Sequence, residues 1–445
     1  MSAPCALDQP VRLWPSQALQ KASGQPAYTE TFSRSRAKRR ARCSLRKEES
    51  SSDRRKLPQQ QQQQQQHQNS LILHQLLDLG QTPGEDKVFE ILSVVLDNWR
   101  ENPRRATFIL SSLARHKLAR TATYVLTAML AKSVEANVFH YNAAISACEK
   151  GRQWQLALGL LSSMPGMRVI PDEISYNAAI SACEKGGQWQ LALSLLSSMP
   201  EFGLIPDEIS YSAAISACEK AGHWQLALSL LHSMPHMSLM PNEISYSAAI
   251  SACEKGGQWE LASSLLSHMP DMRVVPSKIS YNAAISACEK GGQWQLALSL
   301  LASMPDMRIA RGQISYNAAI SACEKGVQWR LALSLMRSMP DMRVISDEIS
   351  YNAAISACSK GGQWHLALSL LNRMPDMRVI QNEISYCAAI SACEKGGQWQ
   401  LALGLLSSMH GMSLVPHVIG YSASISACEK GGRWELALSL LGAMP

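Results

Sequence analysis

The chain has 445 residues, with 42 lysines and arginines against 35 aspartates and glutamates, and therefore a formal charge of +7. Hydrophobic residues make up 46% of it and charged residues 17%, a balance that excludes a chain disordered from end to end. No apolar run of about 18 residues occurs, which excludes an ordinary transmembrane helix. Residues 1–137 hold 21 basic and 12 acidic side chains, whereas residues 138–445 hold 21 and 23. The basic excess thus belongs to the first third and indicates nothing about a partner of the rest.

The first 68 residues differ in composition from everything that follows. They include a glutamine run, Gln59–Gln66, and a segment dense in arginine, lysine and serine, Arg34–Lys56. Both features predict a disordered N-terminal region. It lacks the apolar segment of a secretory signal, and it is rich in arginine and serine with few acids before residue 47. We expect an organelle transit peptide here, with a solvated basic tail as the alternative.

Residues 69–102 and 103–137 both have helical patterns. Two apolar stretches, Leu71–Leu79 and Val88–Trp99, flank Thr82-Pro83-Gly84 and predict a capping helical pair over 69–102. The segment 103–137 predicts a degenerate repeat, since three of its residues lie 35 positions before their counterparts in the next unit: Ala106, Met129 and Asn137.

Residues 138–445 are nine tandem units in which tyrosine, tryptophan and cysteine each recur every 35 residues without an insertion. The second unit, Glu173 to Asp207, is typical. Its first half places Tyr176, Ile180 and Cys183 on one helical face, and Gly186-Gly187 then predicts a helix end. Its second half predicts a helix with two apolar faces that ends at Pro200, one containing Trp189, Leu193, Leu196 and Met199, the other Leu191 and Leu195.

A helix that is apolar on two faces needs partners on both sides, and stacked helix pairs supply them. The fold class predicted is therefore all-α, an α-solenoid superhelix of helix-turn-helix repeats. The first helices are rich in alanine and serine, so we expect them to pack closely and to line the inner face. The bulkier second helices are expected outside.

Regular cysteines and tryptophans suggest chemistry, but their spacing predicts core packing. One cysteine per repeat, with Cys387 as an extra, gives no Cys-x-x-Cys pair, so we expect reduced buried thiols, no metal and no cofactor. The tryptophans fall on an apolar helix face and are predicted to be core residues rather than a base-stacking ladder. No His-x-Glu with a downstream Cys-x-x-Cys occurs, and an enzyme is not expected.

The repeat resembles the pentatricopeptide repeat of the P type. The resemblance rests on Tyr-Asn early in the first helix, Lys-x-Gly at the turn, Ala-Leu in the second helix, a late methionine and a closing Pro-Asp. It covers residues 138–445, and it implies binding of single-stranded RNA at one base per repeat. It also implies three roles. A selector residue directly after the tyrosine acts with the closing residue of the unit to choose the base. A wedge residue two before the tyrosine packs on the base, and a lysine at the end of the first helix faces the phosphates.

The selectors alternate between amide and hydroxyl while the surrounding helix hardly varies, and these groups offer a base edge different donors and acceptors. The alternative is neutral drift at an exposed polar position. The selector and closing residues implied in base selection are Asn142 with Asp172, Asn177 with Asp207, Ser212 with Asn242, Ser247 with Ser277, Asn282, Asn317 with Asp347, Asn352 with Asn382, and Ser422. Gly312 closes the Asn282 unit, and Cys387 with His417 departs from the family pattern. With Thr107 and Asn137 of the degenerate unit, the family's pairing rules imply a target like A-U-U-A-N-N-U-C.

The wedge residues are apolar in every unit, and the alternative is that they belong to the interface core: Phe139, Ile174, Ile209, Ile244, Ile279, Ile314, Ile349, Ile384 and Ile419. The implied phosphate ligands are Lys150, Lys185, Lys220, Lys255, Lys290, Lys325, Lys360, Lys395 and Lys430. Their alternative role is pairing with the adjacent glutamates, although Ser359 replaces that glutamate in one unit.

The sequence predicts an organellar RNA-binding protein that acts in RNA processing, stability, editing or translation. The expected location is the chloroplast or the mitochondrion, with the cytoplasm as the alternative. Other RNA-processing proteins are also expected partners, and no association with a membrane is expected. A protein-binding helical scaffold is the main alternative, and an enzyme subunit is a weaker one. Leu436 and Leu440 are expected to leave an apolar C-terminal edge, so that the chain is either a fragment or pairs with another molecule there.

Overall fold

The computed structural model describes residues 70–444 except 82, 94, 102 and 413. The predicted disordered region and transit peptide, residues 1–68, lie outside the described residues. Leu73–Pro445 forms one compact unit. Among the described residues, every helix is too short or too polar to span a membrane.

The segment predicted as a helical cap contains three helices: α1, residues 70–78, α2, Glu85–Ser93, and α3, Leu96–Glu101. The predicted stretch Val88–Trp99 is thus interrupted after Ser93. The Ser93 hydroxyl donates to the Glu90 carbonyl at 2.7 Å, and the Val95 amide bonds back to Leu92 in a tighter turn. Trp99 is fully buried in this region. The segment predicted as a degenerate repeat is a helix pair, α4, Arg104–Arg115, and α5, Ala119–Ala131.

Nine helix pairs follow. The first helices have the same length and end at the repeat's lysine: α6 Val138–Lys150, α8 Glu173–Lys185, α10 Glu208–Lys220, α12 Glu243–Lys255, α14 Lys278–Lys290, α16 Gln313–Lys325, α18 Glu348–Lys360, α20 Glu383–Lys395 and α22 Val418–Lys430. The second helices begin at the tryptophan: α7 Trp154–Ser163, α9 Trp189–Ser198, α11 Trp224–His236, α13 Trp259–His268, α15 Trp294–Ser303, α17 Trp329–Asp341, α19 Trp364–Arg373, α21 Trp399–Gly411 and α23 Trp434–Gly442.

The first helices form a continuous layer. Each packs on the first helix of the next unit, on its own second helix and on the second helix of the preceding unit. From α7 onward, second helices of successive units have no comparable contact with one another in the described chain. The outer layer is therefore the more widely spaced, and the array curves with the first helices inside, which confirms the predicted α-solenoid. Fully buried Ala179 and Ala182 allow this close approach, and Ile180 fills the core beside them.

The tryptophans are not core residues, contrary to the prediction. The tryptophans that begin the second helices from α7 to α21 are half-buried. Seven of their indoles lie over the glycine that follows the first helix of the next unit, and the indole of Trp189 lies 4.2 Å from the His223 ring. A Cβ on Gly186 would lie 2.3 Å from Cδ1 of Trp154, so glycine is needed here for space. Its backbone is ordinary, with φ of −87°, whereas the following Gly187 has φ of +70° and provides the left-handed turn. Six further units repeat this contact: Gly256, Gly291, Gly326, Gly361, Gly396 and Gly431.

Two other expectations for the second helix need correction. Its second apolar face is only partly covered, with Leu191 36% exposed, because neighbouring second helices stand apart. The repeat's proline also does not always end the helix. In α11 and α17, Pro235 and Pro340 lie in the last turn and the helix continues. A proline so near the end removes only its own hydrogen bond from the ladder.

The C-terminal helix pair has exposed apolar side chains. Trp434 is 66% exposed, Leu436, Leu438 and Leu441 are exposed, and Leu440 is half-buried. Association through this edge stays a prediction.

Candidate nucleic-acid interface

The selector slot lies at the start of the inner helices and is mostly buried, so it is not the exposed position that neutral drift would require. Asn142, Asn177, Ser212, Ser247 and Asn317 are only 5–9% exposed. Asn282 and Asn352 are half-buried, and Ser422, in the last first helix, is exposed. A buried amide is expensive to keep unless it is hydrogen-bonded. Its partners therefore decide what the slot does.

Selector and closing residues contact each other in six units, although they are 30 positions apart. Asn177 Nδ2 donates to both carboxylate oxygens of Asp207, at 3.0 and 3.1 Å. Asn317 and Asp347 repeat the same two distances. The other contacts are Asn142 Nδ2 to Asp172 at 2.9 Å, Ser212 Oγ to Asn242 at 3.4 Å, Ser247 Oγ with Ser277 Oγ at 3.4 Å, and Asn352 Nδ2 to Asn382 at 3.3 Å.

The closing residue has a structural role that the sequence reasoning missed. It is the N-cap of the next first helix, where its side chain accepts from the backbone amide of the third helical residue: Asp172, Asp207, Asn242, Ser277, Asp347 and Asn382. The sequence does contain a signal for this capping role, because in those units the closing Asp, Asn or Ser is followed three positions later by a serine, which is the pattern of a capping box. Capping restricts the closing slot to small polar residues, and each such residue then meets the selector of the preceding unit.

Hydrogen bonds to the closing carboxylate of Asp347 stabilise its ionised form. Burial raises the pKa of Asp347, but hydrogen bonds from Ser350, Asn317 and Gln313 outweigh burial and leave the pKa below its ordinary value. Asp347 is thus ionised at neutral pH and accepts without donating.

Four selectors have a buried carbonyl oxygen without a hydrogen-bond partner among the described residues: Asn177, Asn282, Asn317 and Asn352. An unpaired buried polar atom costs about 1–3 kcal/mol. This cost recurs in four units, although Ser212 and Ser247 show that a hydroxyl also fits the slot. Neutral drift alone would not be expected to keep the costlier amide in so many units.

The wedge residues form an exposed apolar ladder. Phe139 and the eight isoleucines are each 59–66% exposed, which excludes the interface core as their role. Each lies on the same first helix as its selector and three positions before it, close to one helical turn away. In six units the inner layer thus places an exposed apolar side chain beside a polar pair.

The repeat lysines are paired, but with the preceding unit rather than with the adjacent glutamate. Lys185 lies 2.6 Å from Glu149, and six further pairs have separations of 2.5–2.9 Å: Lys220–Glu184, Lys255–Glu219, Lys290–Glu254, Lys325–Glu289, Lys360–Glu324 and Lys430–Glu394. Within the described chain, Lys150 and Lys395 have no such partner, because Ala114 and Ser359 occupy the glutamate slot.

Two of the units that have both a selector and a closing residue in the described chain contain no complete polar pair. Asn282 faces Gly312, and the Lys278 ammonium occupies the space that a side chain at Gly312 would fill. Cys387 is buried, and its partner His417 makes no side-chain cap contact. Neither unit brings together two hydrogen-bonding side chains from the selector and closing positions.

Three family models match most of the array. The model described as PPR repeat family matches residues 171–220 and 206–255, and PPR repeat matches residues 244–274, 279–309, 314–344, 349–379 and 384–414. Pentatricopeptide repeat domain matches residues 124–188. The chain belongs to the pentatricopeptide repeat family. Comparison with the curated proteins finds no match.

Comparison with solved structures finds matches at low sequence identity. The crystal structure of PPR10 from maize has a TM-score of 0.49 at 18% identity, covering 96% of this chain and 68% of that one. PPR10 in complex with an 18-nt psaJ RNA element gives 0.48 at 17% identity, with 81% and 63% covered. Yeast Rmd9p in complex with a 16-nt target RNA gives 0.39 at 11% identity, with 84% and 86% covered.

The repeat cysteines lie away from this interface. Each is buried and forms no disulfide, and no group of metal-ligating side chains occurs among the described residues. Burial raises the pKa to about 11 in eight of them: Cys148, Cys183, Cys218, Cys253, Cys288, Cys323, Cys358 and Cys393.

These thiols should resist alkylation in the native array. At pH 8 roughly one in a thousand is a thiolate when the pKa is about 11, and burial blocks access as well. We expect iodoacetamide to leave all eight unmodified in native buffer and to modify them in 6 M guanidinium, as read by peptide mass spectrometry. Modification of any of them in native buffer at the denatured rate would show that its unit is not packed as described.

Proposed function

We propose that this protein binds single-stranded RNA in a sequence-specific manner, one base per repeat, along the inner layer of first helices. Its action would be to occupy a site in an organellar transcript, in processing, stability, editing or translation, without performing chemistry itself. The observation that carries the proposal is the contact between selector and closing residue, whose chemistry varies from unit to unit beside an unvarying apolar ladder.

Nucleotide bases fit this alternation. A base has two apolar faces and a polar edge, and stacking on side chains with hydrogen bonding at the edge is how single strands are commonly read. Successive isoleucines, such as Ile174 and Ile209, present the same exposed apolar surface one unit apart. The polar pair Asn177 and Asp207 lies between those two units. A base inserted there would contact apolar atoms on both faces and meet the pair with its edge.

The pairs differ in what they offer to that edge. In the first pair, the partner of Asn177 is the Asp207 carboxylate, which as an anion can only accept hydrogen bonds. In the next pair, the partner of Ser212 is the Asn242 amide, which can both donate and accept them. Uracil and adenine present different donor and acceptor sets at this edge, and the family pairing rules assign them to these two units. The chemistry of the contacts supports readout by the pair rather than by the selector alone.

The test is binding of RNA containing A-U-U-A-N-N-U-C against a permuted RNA of the same composition. We expect the intended sequence to bind at least about tenfold more tightly in fluorescence anisotropy, since each good base contact discriminates by about 1–3 kcal/mol. Selection from a random pool should return the same motif. Equal affinity for both RNAs would contradict base readout. Absence of RNA crosslinking, with peptide binding instead, would favour the protein-binding scaffold.

A further inference from the structure

The ladder of ion pairs on the inner helices is interrupted in the interior of the array at one place. Seven lysines are joined to the glutamate of the preceding unit. Ser359 stands where that glutamate is expected, and the next lysine, Lys395, is exposed without an ion-pair partner in the described chain. Ser359 itself is 3% exposed and contributes no charge.

The surroundings of Lys395 do not replace the missing partner. Its neighbour Glu394 is engaged by Lys430 at 2.7 Å and accepts from Ser426 at 3.0 Å. Burial raises the pKa of Glu394, but these hydrogen bonds and the charges of Lys430 and Lys395 outweigh burial and lower it overall. Lys360, next to Ser359, pairs with Glu324. One positive charge therefore stays uncompensated at this point.

The same condition holds for Lys150, seven units earlier, where Ala114 stands in the glutamate slot. We propose that Lys395 and Lys150 are the two backbone anchors of the bound RNA, and that the seven paired lysines contribute little to phosphate binding. This inference rests on the proposed RNA-binding function and assigns where the affinity for the backbone is located.

Electrostatics separates the two classes of lysine. In the paired units the glutamate side chain is 14–19% exposed and the lysine 34–48%, so the carboxylate is close to any anion that approaches the ammonium. A phosphate there meets a local charge near zero and displaces few counterions. At Lys395 and Lys150 it meets a full positive charge. On a single strand each neutralised phosphate changes the slope of log K against log salt by about −0.7.

The decisive variant restores the missing pair. Ser359→Glu should join Lys395 as Glu324 joins Lys360, and it should weaken binding of A-U-U-A-N-N-U-C RNA about fivefold at 0.1 M salt and make the salt slope shallower by about 0.7. Ser359→Gln supplies the same bulk without charge and should leave both unchanged. Glutamate occupies this slot in all eight other units, so the fold accommodates it. Far-UV circular dichroism and thermal unfolding check each variant.

A second comparison removes an unpaired lysine in one variant and a paired lysine together with its glutamate in the other. Lys395→Gln should weaken binding about fivefold at the same salt concentration, whereas the double variant Lys325→Gln with Glu289→Gln removes one lysine together with its partner and should leave affinity within a factor of two. Freeing a lysine by Glu324→Gln should instead strengthen binding about fivefold and steepen the slope.

The outcomes separate the two proposals. If the wild-type chain binds the RNA but Ser359→Glu and Ser359→Gln behave alike, or the Lys325 and Lys395 variants lose equal affinity, the anchor assignment is overturned and RNA binding stands. If the wild-type chain binds no RNA at low salt, both proposals are overturned.

Discussion

Exchanging the Asn177 and Asp207 pair for Ser and Asn should change the third nucleotide of the preferred RNA from uracil to adenine. The double variant Asn177→Ser, Asp207→Asn reproduces the pair found one unit later in Ser212 and Asn242. It removes the carboxylate that accepts from Asn177 at 3.0 and 3.1 Å and replaces it with an amide. We expect preference at this nucleotide to shift by about tenfold or more, measured by anisotropy with the four RNAs that differ only there.

This change should leave the fold intact. Asp207 caps α10 through bonds to the Ile209 and Ser210 amides at 3.0 and 2.9 Å, and asparagine caps helices equally well, as Asn242 does for α12. The same two substitutions at Asn142 and Asp172 are the matched control, and they should alter the second nucleotide alone. A variant whose preference stays with uracil, or one that loses preference at several nucleotides together, would count against readout by selector pairs.

Replacing an internal tryptophan should destabilise the array far more than replacing the last one. Trp259 is half-buried over Gly291, where a Cβ would lie 2.3 Å from its Cδ1, whereas Trp434 is 66% exposed. Trp259→Ala would leave the α13 to α14 contact without the indole. Full removal of a buried aromatic costs about 3–5 kcal/mol, and for a half-buried one we expect about 2 kcal/mol.

Urea unfolding followed by circular dichroism, with hydrogen exchange to locate the loss, measures this effect. Trp434→Ala should cost less than about 0.5 kcal/mol, since it covers little surface. In a repeat array the loss should appear first in units next to the substitution, because each unit contacts only its neighbours. Similar costs for the two variants would show that the contact with the glycine does not stabilise the stack.

Much of the fold follows from local rules that can be applied to the sequence. The 35-residue period, the glycines after each first helix and the spacing of Tyr176, Ile180 and Cys183 predict helix pairs that must stack. The family resemblance added which residues to compare, and in six units those residues are in contact. The turn from helix to helix depends on neighbours in sequence, which is why these predictions agree with the structure.

Relations between units could not be predicted in the same way. Glu149 is adjacent to Lys150 in sequence but bonds to Lys185, because the pitch of the stack aligns the end of one first helix with the end of the next. Trp154 is on an apolar face, yet the space it occupies is set by Gly186 of the following unit. Ile174 would suit a core equally well, and only the stacking geometry leaves it exposed.

The sequence by itself determined the repeat, its helices, the curvature direction expected from small first helices, and the slots in which chemistry varies. The tertiary structure decided which of those slots meet. It buried most selectors, exposed the wedge ladder and paired seven lysines, and among the residues that the structure describes it left Lys150 and Lys395 without an ion-pair partner. The physical reason is that helix formation depends on side chains three and four positions apart, whereas these contacts depend on the distance and rotation between successive units.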